Sequence, residues 1–173
     1  MNPSEKLSAG STFPDLSFPR VGGGRVSPSQ GSGWRMLVVY RGRHCPLCRK
    51  YLAALENLLG AYTDAGVEVM AVSTDSVEKA EPDVAEQGWT FPVGYGMEME
   101  QMKALGLYVS SPRSPEETDR PFAEPGTFVI NPDGALHIVD ISNAPFSRPD
   151  LQGLLNGLKF IQENDYPIRG TLA

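Results

Sequence analysis

The stretch Trp34–Tyr51, WRMLVVYRGRHCPLCRKY, decides how the rest of the chain is read. It opens on an apolar, β-branched run, Met36-Leu37-Val38-Val39-Tyr40, with the length of a buried strand. A glycine turn follows, and Cys45-Pro46-Leu47-Cys48 then starts a helical pattern. Both cysteines of the protein lie here, with two residues between them. In a strand–turn–helix context that spacing is the local signature of a dithiol redox site.

The spacing has a physical basis. Pro46 suits the first turn of a helix, where its missing N–H has no partner to lose and its φ is already helical. Cys45 then falls near the N-cap, where free amides and the helix dipole favour thiolate over thiol. Arg41, Arg43, His44, Arg49 and Lys50 flank the pair and make the local field positive. Cys48 sits one turn further in, within reach of a mixed disulfide or sulfenic acid on Cys45. Cys45 is therefore expected to be the exposed, low-pKa thiol and Cys48 the thiol that resolves it.

Three other readings compete. A structural disulfide would close only a very short loop and add little to a chain of 173 residues. Half of a zinc site would need more ligands, yet there is no further cysteine and His137 is the only distant histidine. Two inert buried thiols would not call for a basic cluster around them. Redox chemistry is favoured.

Composition limits the remaining possibilities. The length points to one domain with a sizeable core, residues 1–33 forming an extended N-terminal segment. A net charge of −6 argues against a general nucleic-acid or anionic-membrane binder. No apolar run approaches transmembrane length, and MNPSEKLSAGSTF lacks the apolar core of a secretory signal. A cytoplasmic, reducing setting is expected, where a close cysteine pair is more often catalytic than structural.

In chain order, Phe13–Phe18 reads as an ordered extended segment, because Phe13, Leu16 and Phe18 need burial, and residues 21–33 as a glycine-rich loop or hairpin. After Cys48, Leu47, Tyr51, Leu55, Leu58 and Tyr62 recur at helical steps until Ala65-Gly66. Val67–Ser73 is a second buried strand, so strand, helix and strand form a βαβ unit with parallel strands. A helix capped at Asp75-Ser76 should end at Gly88, starting late or kinking at Pro82. Thr90–Val93 suits an edge strand, and Met97–Leu105 a short helix whose methionines serve core or loop packing. Val109–Glu124 is a proline-rich, charged surface loop. Gly126–Ile130 and Ala135–Val139 flank Asn131-Pro132-Asp133-Gly134, a hairpin turn. The last helix is expected from Arg148 or Pro149 to Glu163, capped by Ser147. Trp34 and Trp89 are expected to pack in the core; His137 has no assigned role.

The order β-α-β, then α and β, then β-β-α, with a dithiol at the first strand–helix junction, resembles the thioredoxin-fold superfamily and its AhpC/TSA (peroxiredoxin-like) branch. The resemblance rests on Phe13-Pro14-Asp15, Leu37–Tyr40, Cys45–Cys48, Val72–Asp75, Thr90–Val93 and Gly126–Gly134. It implies an α/β thioredoxin-like fold: a central mixed sheet with helices on both faces, plus the N-terminal extension. Peroxiredoxins carry proline, threonine and the peroxidatic cysteine as P-x-x-x-T-x-x-C. In this chain Arg41, Cys45 and Cys48 stand at those positions, and the family's arginine falls near Pro125. Thioredoxin-type proteins instead have their nucleophile at the Cys45 position and a cis-proline where Glu124-Pro125 stands, so Pro125 is expected to be cis and to dock substrate.

The resemblance thus implies a thiol–disulfide oxidoreductase cycling a Cys45–Cys48 dithiol and disulfide. A second reading is an antioxidant thiol peroxidase, with Arg41 or Arg43 replacing the family arginine. A third is a non-enzymatic binding module using the edge near Phe91 and the loop at 112–121. The implied partners are a disulfide or hydroperoxide and a thioredoxin- or glutathione-type thiol donor. The chemistry calls for no metal and no cofactor beyond the thiols.

Overall fold

The computed structural model describes residues 5–173. Its strands are Phe18–Pro19 (β1), Arg25–Val26 (β2), Trp34–Val39 (β3), Val67–Val72 (β4), Val93–Gly94 (β5), Val109–Ser110 (β6), Phe122–Ala123 (β7), Gly126–Ile130 (β8) and Leu136–Ile141 (β9). Its helices are Pro46–Asp64 (α1), Val77–Gln87 (α2), Met99–Ala104 (α3) and Leu151–Asn164 (α4).

The main sheet has the order β5-β4-β3-β8-β9. β3 runs parallel to β4, and β4 to β5, as the βαβ reading requires. β8 is antiparallel to both β3 and β9, so the sheet is mixed. Two small antiparallel pairs, β1-β2 and β6-β7, lie outside it. The glycine-rich segment thus forms a hairpin, and the proline-rich loop carries a short pair at its two ends.

Alternation along the strands divides the apolar residues between two faces. Met36, Val38 and Tyr40 pack with Val69, Ala71 and Val129 beneath α1 and α4, against Leu52, Leu55, Leu155 and Leu158. Leu37, Val39, Met70, Val72, Phe128 and Ile130 point the other way, onto Met102 and Leu105 of the α3 region. The N-terminal extension completes that second face with Phe13, Phe18 and Val26. It also lies along the start of β9, where the Gly10 N–H donates to the Leu136 carbonyl at 2.8 Å.

Four expectations change. The strand expected at Thr90–Val93 is only Val93–Gly94, because Pro92 has no N–H to give a ladder; its carbonyl still accepts from the Ala71 N–H at 3.0 Å. α2 keeps its expected Ser76 cap and Gly88 stop but does not start late: it begins at Val77 and runs through Pro82. α4 is capped by Asp150, whose side chain accepts from the Gly153 N–H at 2.8 Å, so Ser147 and Arg148 stay in the preceding loop. Glu124-Pro125 is not cis: the described residues contain no cis peptide bond. The trans isomer carries the chain from β7 into β8, with the Pro125 carbonyl accepting from the Ser142 N–H at 3.1 Å. Pro125 is buried, so it offers no docking surface.

Candidate active site

The site forms where the parallel strands β3 and β4 end side by side. The loop after β3 turns at Gly42, whose φ of +136° is one that L side chains rarely adopt. The loop after β4 supplies Asp75, which is buried and accepts from the Arg43 N–H at 2.8 Å. This carboxylate ties the two loops together and fixes the start of α1. The Cys45 N–H then donates to the Gly42 carbonyl at 3.2 Å.

Cys45 occupies the N-cap of α1 in an extended conformation, with Pro46 in the first helical turn. Its Sγ takes the place of the usual cap oxygen and accepts from the Cys48 N–H at 3.3 Å. Both cysteines are free thiols. Cys45 is 4% exposed and Cys48 fully buried, so Cys45 is the more accessible, though far less open than a loop position implies.

An arginine that the sequence pattern does not single out completes the site. The Arg148 Nη2 lies 2.8 Å from Cys48 Sγ. Two tyrosines of α1 hold its segment in place. The Tyr51 hydroxyl donates to the Pro149 carbonyl at 2.7 Å, and the Tyr62 hydroxyl to the Leu151 carbonyl at 2.7 Å. The guanidinium also lies over the Tyr51 ring, 4.9 Å from its centroid.

The basic cluster largely resolves into pairs. Arg41 grips the buried Glu124, with Nη2–Oε1 at 2.6 Å and Nε–Oε1 at 2.7 Å, and lies over the Phe122 ring. Arg43 reaches Glu86 at 2.9 Å on the surface. Both are thus engaged by carboxylates, and the field of Arg41 still reaches Cys45. The His44 ring meets Phe122 edge-on at 4.6 Å, and its nitrogens have no hydrogen-bond partner among the described residues. Burial holds its pKa below the usual imidazole value. Behind the site, Asp83 is buried, with Arg49 as its ion-pair partner at Nε–Oδ1 3.8 Å, and burial raises its carboxyl to about 6.

The two thiols shift in opposite directions. Cys45 is brought down to about 6, first by the hydrogen bond from the Cys48 thiol, against burial, then by the Cys48 N–H and the fields of Arg148 and Arg41. The same thiol–thiol hydrogen bond, together with burial, pushes Cys48 up. The surroundings therefore set the two thiols apart, Cys45 below and Cys48 above the ordinary thiol value.

A sheet of this order, with Cys-x-x-Cys capping the helix after its central strand, defines a thioredoxin-fold thiol site. The chain belongs to the AhpC/TSA family, whose family model matches residues 9–139. It is 28% identical over 137 residues to a Mycobacterium tuberculosis protein provisionally named a peroxiredoxin, covering 79% of this chain and 86% of that one. It is 30% identical over 131 residues to the alkyl hydroperoxide reductase C of Bacillus subtilis, covering 75% and 66%. The crystal structure of a Xylella fastidiosa PrxQ mutant shares the fold, with a TM-score of 0.75 at 21% identity over 91% of this chain and 99% of that one. The protein is a thiol-dependent oxidoreductase of this peroxiredoxin-like family. Among the described residues no helix is long and apolar enough to cross a membrane.

Proposed function

We propose that the protein cycles a Cys45–Cys48 dithiol and disulfide, with Cys45 as the attacking thiolate. The observation that supports this most is the cap geometry: Cys45 Sγ accepts the Cys48 N–H at 3.3 Å while the Cys48 thiol lies beside it. Charge on Cys45 is stabilised before substrate arrives, and its successor nucleophile is one turn away.

In disulfide exchange, the Cys45 thiolate attacks one substrate sulfur, the substrate S–S bond breaks, and the departing thiolate takes a proton. Cys48 then loses its proton and attacks Cys45 Sγ, expelling the second substrate thiol. The substrate gains two electrons, and the Cys45–Cys48 disulfide forms. Arg148, 2.8 Å from Cys48 Sγ, supports the charge that Cys48 acquires in this second step.

A hydroperoxide uses the same residues. Cys45 attacks an oxygen, the O–O bond breaks, the alkoxide takes a proton, and Cys45 becomes a sulfenic acid. Attack by Cys48 releases water and leaves the same disulfide. The trans, buried Pro125 removes the docking element that favoured disulfide substrates alone, and so strengthens the hydroperoxide reading. A thiol donor of thioredoxin or glutathione type would return the disulfide to the dithiol, and Leu47, 44% exposed, and Phe146, 80% exposed, are available to meet it. The test is turnover of an alkyl hydroperoxide and of a small disulfide by the full chain with a thiol donor. Saturable turnover of either that disappears in Cys45→Ser supports the cycle, and turnover of neither would refute it.

A further inference from the structure

Of the site's arginines, Arg148 is balanced by no carboxylate. Arg41 and Arg43 are paired with Glu124 and Glu86. Among the described residues Arg148 forms no ion pair, and its Nε and Nη1 are buried without a hydrogen-bond partner. Its remaining nitrogen, Nη2, contacts Cys48 Sγ at 2.8 Å. Among the described residues the nearest group on which a balancing negative charge can form is therefore the reduced thiol pair.

Oxidation removes that charge. One thiolate and one thiol give up two electrons and one proton as the Sγ–Sγ bond forms. The resulting disulfide is neutral and a weak acceptor. The guanidinium then sits against Tyr51, held by the two tyrosine–carbonyl contacts, with nothing to balance it. A cation that loses its buried partner penalises the state in which the partner is missing. Stabilising the reduced form raises the reduction potential of a dithiol couple.

We propose that Arg148 poises the Cys45–Cys48 couple toward the dithiol, making its disulfide an oxidising one that ordinary thiols discharge readily. This rests on the dithiol cycle proposed above and gives it a direction. The electron acceptor must be a stronger oxidant than an unstrained disulfide, which a hydroperoxide or a strained disulfide satisfies. The donor need only be a common thiol, reacting as one protein disulfide plus two donor thiols to give the dithiol plus one donor disulfide.

The full chain is equilibrated without oxygen in graded mixtures of reduced and oxidised glutathione, then alkylated, and the disulfide fraction is counted by mass. Loss of a charge-assisted contact in Arg148→Met should shift the equilibrium toward the disulfide by about tenfold or more. A tenfold shift lowers the potential by about 30 mV. Arg148→Lys should recover part of it. A potential for Arg148→Met equal to or above that of the unaltered protein overturns the inference. Denaturant unfolding of the unaltered protein in both redox states is a second check, independent of how the variant folds. The reduced form should be the more stable, and a more stable oxidised form would also overturn it. If no glutathione mixture produces the Cys45–Cys48 disulfide, the cycle itself fails; a disulfide whose potential ignores Arg148 removes this inference alone.

Discussion

Gly42→Ala tests whether the loop carrying Cys45 is held as described. At a φ of +136°, a Cβ on Gly42 would lie 2.6 Å from Asp75 Oδ1 and 2.9 Å from both Cγ and Oδ2. Contacts that short do not occur, so Asp75 must move, and its hydrogen bond from the Arg43 N–H must lengthen or break. The unfavourable backbone conformation costs about 1–3 kcal/mol. Losing a charged hydrogen bond in a buried place costs about 1.5–3 kcal/mol more. Gly42→Ala should therefore destabilise the protein by roughly 2.5–6 kcal/mol in urea unfolding. Gly88 is the internal comparison, with a φ of +70° and no atom within 4 Å of its would-be Cβ. Gly88→Ala carries only the backbone term, about 1–2 kcal/mol. The larger loss at Gly42 should come with slower alkylation of Cys45, because the same carboxylate fixes the start of α1. If Gly42→Ala costs no more than Gly88→Ala, Asp75 does not organise the loop.

Two further outcomes follow from the buried charges. Alkylation of Cys45 by iodoacetamide should rise with pH through a midpoint near 6 rather than near the ordinary thiol value, and Arg43→Gln should leave that midpoint in place because Arg43 is bound to Glu86 at the surface; a midpoint near 8 to 9 would contradict the opposite shifts of the two thiols. Asp83, raised to about 6 by burial, favours folding at pH values below its unfolded pKa, and this contribution is lost as pH rises through the folded value. The unaltered protein should thus lose stability relative to Asp83→Asn between about pH 4 and pH 6, with a constant difference above that range, as measured by thermal unfolding; a constant difference from pH 4 upward would show that Asp83 stays ionised.

How much can be read from the sequence depends on how local each feature is. The strand, turn and helix around Cys45 are legible because short-range effects decide them: a β-branched run, a glycine at positive φ, a proline in the first helical turn, and leucines and tyrosines at helical steps. The N-terminal extension is legible because Phe13 and Phe18 require burial and receive it. Arg148 is not, since it lies 100 residues beyond Cys48 and reads locally as the start of α4. What places it is the packing of α4 on α1, with Tyr51 and Tyr62 reaching main-chain carbonyls, and no local pattern encodes that. Arg41 and Arg43 are visibly positive, but sequence gives no sign that Glu124 and Glu86 neutralise them from distant elements. Pro125 misleads for a similar reason: the resemblance supplies a cis bond that the direct run from β7 into β8 does not use.

The measurement that tests the account most directly is mass analysis of each single-cysteine variant after exposure to a small disulfide or an alkyl hydroperoxide. With Cys45 as the nucleophile, Cys48→Ser should still react and accumulate a mixed disulfide or a sulfenic acid on Cys45, while Cys45→Ser should react with neither substrate. The opposite pattern, in which Cys45→Ser continues to consume peroxide and oxidised Cys48 builds up, would move the reactive thiolate to the sulfur beside Arg148 and contradict the assignment.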